Sequence, residues 1–165
     1  MGDGKSDIRM SAEVVSDVID EAVRRTEKNA SKHKLTVKEN DGILLARMDA
    51  RLIVQVLINL IDNAIKYTES GSEIEISAVE EENEIAITVA DNGCGIADDI
   101  KPRVFDMFYT GAEKIADSRR SLGLGLALCK SIVNAHGGEI TVTDNKPHGA
   151  VFTFTLLKEE VEISE

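Results

Sequence analysis

Two runs, 73–79 and 84–90, alternate apolar and polar residues with period two around the polar turn Glu81-Glu82-Asn83. Period two sends successive side chains to opposite faces of a strand, so a hairpin of these runs has one apolar face and one wet face. The helical runs elsewhere must cover the apolar one. From Ser11, a candidate N-cap, Val14, Val15, Val18, Ile19, Ala22 and Val23 recur at helical spacing to about residue 31. Residues 35–39 and 43–46 read as another hairpin across Asp41-Gly42, and Asp49 reads as the cap of an apolar helix over 52–67. A helix over 124–135 ends at Gly137-Gly138, and strands over 139–143 and 150–157 finish the sheet. The expected fold class is α+β: a two-layer sandwich in which a mixed, mostly antiparallel sheet carries helices on one face.

At 165 residues and 42% apolar content the chain can bury about two-thirds of its unfolded surface. The expected division is a tag or disordered start over 1–10, one folded unit over 11–158 and an acidic tail over 159–165. Thirty acidic against nineteen basic residues give a net charge of -11, which opposes a broad nucleic-acid-binding surface. No run approaches the ~18 apolar residues of a membrane span, so no direct membrane contact is expected. Cys94 and Cys129, with His33, His136 and His148 scattered, form no metal-ligand spacing and fit a reduced intracellular protein.

Four segments carry chemistry. In the 52–67 helix, Val56, Leu57, Leu60, Ile61 and Ala64 fill one arc, and Gln55, Asn59, Asp62, Asn63 and Lys66 share another only about 100° wide. Asn59 and Asn63 are one turn apart; they make either a hydrogen-bonding seam or a pair of oxygen ligands for a hard cation such as Mg²⁺, with Lys66 next on that face for phosphate. Asp91-Asn92-Gly93-Cys94-Gly95-Ile96 follows a strand directly. It reads as a tight turn, or as a backbone that approaches a ligand while Asp91 accepts from an amine. Phe105 to Phe108 precedes a polar stretch, 110–120, whose Lys114, Arg119 and Arg120 suggest a positively charged lid. Ser121-Leu122-Gly123-Leu124-Gly125-Leu126 then opens the last helix, where free N–H groups and the macrodipole would favour phosphate.

In this order the chain resembles the ATP-binding catalytic domain of sensor histidine kinases, in the superfamily shared with gyrase, Hsp90 and MutL, over about 12–157. The stretch from Asn59 to Tyr67 is similar to the family's N box, 91–96 to its first glycine box, 105–108 to its F box and 123–126 to its second glycine box. The run from Phe105 through Arg120 to His136-Gly137-Gly138 looks most like potassium-responsive kinases of the KdpD type. The resemblance implies that Asn59 and Asn63 hold Mg²⁺ and phosphate, that Lys66 touches phosphate, and that Tyr67 packs near the adenine. It further implies that Asp91 accepts from the adenine amine, that Gly93, Gly95 and Ile96 shape the pocket, that 109–122 form the ATP lid, and that Phe108, Lys114, Gly123, Leu124, Gly125 and Leu126 complete the nucleotide site. ATP and Mg²⁺ are the implied cofactors.

Two departures stand out. The family's usual Gly-Thr-Gly-Leu-Gly-Leu begins here as Ser121-Leu122, one glycine short. The family's phosphoacceptor His, followed by an acidic residue, is missing, since Lys34, Gly137 and Gly149 follow the three histidines. The resemblance therefore implies a monomeric catalytic domain that works on a separate His-bearing dimerisation domain and, through it, on a response regulator, in the cytoplasm of a cell whose parent kinase is membrane-anchored. A hydrolysing clamp of the gyrase kind would resemble its relatives in carrying Glu where this chain has Asn59. An amide takes no proton from water at neutral pH, which favours transfer over hydrolysis. A degenerate binding module is the remaining alternative.

Overall fold

The computed structural model describes residues 8–38, 42–106 and 116–159, and only the backbone of 116–124. In chain order the elements are β1 Ser11–Val14, α1 Val15–Thr26, β2 Lys34–Lys38, β3 Leu45–Met48, α2 Ala50–Lys66, β4 Glu73–Glu80, β5 Glu84–Asp91, a 3-10 turn at Lys101–Arg103, α3 Ala116–Ala135, β6 Ile140–Asp144 and β7 Ala150–Leu157. Five strands form one sheet in the order β2-β4-β5-β7-β6, with β2 parallel to β4 and the other neighbours antiparallel.

Alternation sets the layers. Ile76 of β4 lies opposite Val89 of β5, which lies opposite Phe152 of β7; Ile87 lies opposite Phe154 in the next row, and all five are buried. α1, α2 and α3 cover this face, bringing Val18, Ile19, Leu57, Leu60, Ile61, Cys129 and Val133 into one core. On the other face the Ser77 and Thr88 hydroxyls meet at 2.7 Å. α2 lies between the other two helices. Asp49 does stand at its N-cap, but its side chain makes no cap bond. The loss of a cap, about 1 kcal/mol, is small beside the burial of Ile53, Val56, Leu57, Leu60 and Ile61 at about 1.5–3 kcal/mol each.

Three expected elements differ. Residues 11–14 form a strand rather than the first turn of a helix, because β1 pairs antiparallel with β3. The expected hairpin of 35–39 with 43–46 does not form: β2 runs parallel to β4, and β3 pairs with β1 in a separate ribbon that also receives Glu159 N–H on Leu45 O at 2.9 Å. Period two reports which face is buried and not which strand is the neighbour. The last helix begins at Ala116, eight residues early, since extending a helix already anchored by its buried half adds one hydrogen bond per residue ordered. No helix of the described residues is long and apolar enough to cross a membrane.

Candidate functional site

The candidate residues gather along α2. Asn63 is buried, and its Oδ1 takes no hydrogen bond among the described residues. A buried amide oxygen left in that state is costly unless a ligand N–H or a cation meets it, so the donor chemistry fits Mg²⁺. Asn59 is half-buried at the seam with α3: its Oδ1 accepts from Gln55 Nε2 at 3.1 Å, and a Cβ on Gly125 would lie 3.7 Å from its Cγ. Lys66 is exposed and Tyr67 half-buried at the C-cap, its N–H donating to Asn63 O at 3.1 Å.

β5 supplies the carboxylate. Ile85, Ile87 and Val89 face the helices, and the same alternation carries Asp91 to that side, where it is only 7% exposed. Its Oδ1 accepts from Gly93 N–H at 2.9 Å and Ala150 N–H at 3.3 Å. Gly93 then passes so close to the end of α2 that a Cβ would stand 2.6 Å from Thr68 Cγ2 and 3.4 Å from Tyr67 O. A side chain at 93 would have to push the Thr68 methyl aside. Gly95 and the partly buried Ile96 follow, and Phe105 packs edge-on against Phe152 with ring centroids 5.9 Å apart.

The second glycine segment differs from expectation. Gly123, Leu124, Gly125 and Leu126 lie inside α3 and not at its start, so their N–H groups do not form a helix N-terminus. Of the expected lid, 116–122 is helical, and Phe108 and Lys114 lie outside the described residues.

Some neighbours of the site were not singled out from sequence. Asn145 Nδ2 donates to Asp91 O at 2.7 Å and His148 Nδ1 to Gly93 O at 2.9 Å. The Asn-Lys-Pro-His-Gly run announces a turn, but its place against Asp91 follows from the register of β5 on β7, which sets Ala90 opposite Val151. Thr68 Oγ1 donates to Ala64 O at 2.7 Å, so His33 Nε2, 2.9 Å away, is the donor to Thr68. His136 is 1% exposed and clamped, its Nδ1–H donating to Ile132 O at 2.8 Å and its Nε2 accepting from Asp49 N–H at 3.0 Å.

The family model of the histidine kinase-, DNA gyrase B- and HSP90-like ATPases matches residues 48–160. The chain belongs to this family. The match begins at the end of β3 and runs past β7, so this ATPase-family domain carries every candidate residue on matched sequence. Sensor protein KdpD of Clostridium acetobutylicum is 45% identical over 157 residues, 95% of this chain and 17% of the relative. The chain thus spans about a sixth of that relative's length. Among solved structures, the catalytic domain of histidine kinase ThkA in a nucleotide-free form is 26% identical with a TM-score of 0.79, covering 91% of this chain and 97% of that one. ThkA in complex with response regulator protein TrrA matches with a TM-score of 0.78 and 26% identity, over 92% of this chain and 42% of that one.

Proposed function

We propose that this ATP-binding domain, residues 11–158, is the catalytic domain of a sensor histidine kinase: it binds Mg-ATP and passes the γ-phosphoryl group to a histidine on a separate dimerisation domain. The observation that carries this reading is the buried Asn63 Oδ1 on α2, which has no hydrogen-bond partner among the described residues, with the buried Asp91 carboxylate at the end of β5 leading into the Gly93 segment that packs against the end of the same helix. Asp91 accepts from the exocyclic amine of adenine. Asn63, with Asn59 one turn before it, holds Mg²⁺, which neutralises phosphate charge when bound, and the exposed Lys66 meets phosphate as a point charge. Gln55, whose amide bonds Asn59, supplies no carboxylate to deprotonate water, so the pocket waits for a nucleophile. The relatives' naming as sensor kinases supports this assignment, and the ThkA complex supports a response regulator as the next acceptor after the histidine.

Calorimetric titration tests the pocket. Mg-ATP binds, GTP binds far more weakly, by as much as roughly 10⁴-fold, and Asp91→Ala abolishes the preference. Equal affinity for the two nucleotides sinks the Asp91 assignment, and steady phosphate release in the same tube points to a hydrolysing clamp. Incubated with radiolabelled Mg-ATP, the chain alone gains no stable phosphohistidine, and label appears on an added His-bearing dimerisation domain in proportion to its concentration. Label that disappears in a His33, His136 or His148 variant overturns the reading.

A further inference from the structure

The turn between β6 and β7 grips the first glycine segment at successive points. Asn145 Nδ2 holds the carbonyl of Asp91 at 2.7 Å, His148 Nδ1 holds that of Gly93 at 2.9 Å, and Ala150 N–H reaches Asp91 Oδ1 at 3.3 Å. Gly149, at φ +118°, comes so close that a Cβ would fall 1.9 Å from Asp91 O. The turn is closed on itself by Asn145 N–H on Gly149 O at 2.9 Å. It is braced from outside as well, since Asp144 pairs at 2.8 Å with Lys101, which also holds Asp98.

A segment with two glycines loses much backbone entropy when a ligand orders it. Holding it in place beforehand removes that loss from the binding step. We propose that the 145–149 turn is a clasp that pre-orders the nucleotide-recognition segment, with Asn145 and His148 as positioning residues, one for the Asp91 peptide and one for the Gly93 peptide. The consequence for affinity rests on the nucleotide reading of the pocket; the clasp itself does not. A carbonyl only accepts, so His148 carries its proton on Nδ1 in this bond. Asn, whose Nδ2 stands the same number of bonds from the backbone, is the conservative replacement.

Two measurements on the whole chain test this. In the nucleotide-free protein, Gly93 N–H is bonded to Asp91 Oδ1, so its amide hydrogen exchange reports the clasp directly. His148→Ala raises that exchange rate and weakens Mg-ATP binding about three- to tenfold, the scale of one hydrogen bond, in a chain that still unfolds cooperatively within a few degrees of the wild type. His148→Asn returns both to within about twofold of the wild type. Asn145→Ala acts in the same direction as His148→Ala. Unchanged Gly93 exchange in folded His148→Ala overturns the clasp, as does faster exchange with full affinity, or an affinity loss that His148→Asn leaves in place. A wild-type chain that takes up no Mg-ATP brings down the pocket reading, while the exchange rates still decide the clasp.

Discussion

Asn59 and Asn63 carry the same amide one turn apart on α2, yet their surroundings separate them. Asn59 has protein partners: Gln55 bonds its Oδ1, and α3 passes against it at Gly125. Asn63 is the more buried and has an oxygen with none among the described residues. The surroundings thus divide the pair: Asn59 has a seam contact, and the orphaned oxygen of Asn63 is the one on which the proposed Mg²⁺ site chiefly rests. Asn63→Ala should therefore keep the fold, shifting stability by no more than about 1 kcal/mol, while Mg²⁺ ceases to improve ATP binding. Calorimetry with and without Mg²⁺ beside a thermal melt checks this, and an unfolded variant would return Asn63 to the seam. The two thiols divide in the same way. Cys129 is buried beneath α2, donating weakly to Val56 O; burial pushes its thiol up to about 12, and the Asn59 amide only partly offsets this. Cys94 is exposed. Alkylation near neutral pH should give one adduct by mass spectrometry, on Cys94, with Cys129 reacting only in denaturant; a Cys129 adduct on the folded protein would refute the burial argument.

Among the elements, α3 and the β6–β7 turn use glycine for opposite reasons. Gly125 sits in a helix interior, where a Cβ would meet Asn59 at an ordinary van der Waals distance of 3.7 Å. Gly125→Ala should raise the stability of the nucleotide-free protein by about 0.5–1 kcal/mol, the helix-propensity difference. Gly149→Ala should lower it by about 2–4 kcal/mol, because its φ of +118° and a contact of 1.9 Å with the Asp91 carbonyl leave no room for a methyl group. Urea unfolding of the two variants gives shifts of opposite sign; a loss in Gly125→Ala would mean that α3 packs more tightly on α2 than this distance allows. A Gly-x-Gly run looks the same in sequence at the start of a helix and in its middle. The helix start expected at the glycine segment lies instead at Ala116, because a helix nucleated further on extends at one hydrogen bond per residue ordered.

For the whole molecule, Asp49 is where distant parts of the chain are tied together. Its carboxylate bonds Arg51 and the Arg9 N–H, and its own N–H reaches His136 at the end of α3. Arg51 holds the carboxyl below its ordinary value of 3.8; burial opposes this and the Arg9 N–H adds to it. A lowered native value means that the ionised form favours folding. The stabilisation is complete above the unfolded value and is lost as pH falls through the lower native one. Asp49→Asn should accordingly be less stable than the wild type at about pH 6, and the gap in denaturant-unfolding free energy should close towards about pH 2. A gap that stays constant over that range would show that the carboxylate's charge contributes nothing. The two-layer class, the β4–β5 hairpin and the apolar arc of α2 were legible in residue order alone, because burial writes its period directly into residue type. Strand partners and close approaches came from packing across the whole chain. Such packing sent β2 to β4 and β3 to β1, brought α3 against Asn59, and laid the 145–149 turn on Asp91, since these depend on registers and contacts between residues far apart in the chain, which no local period records.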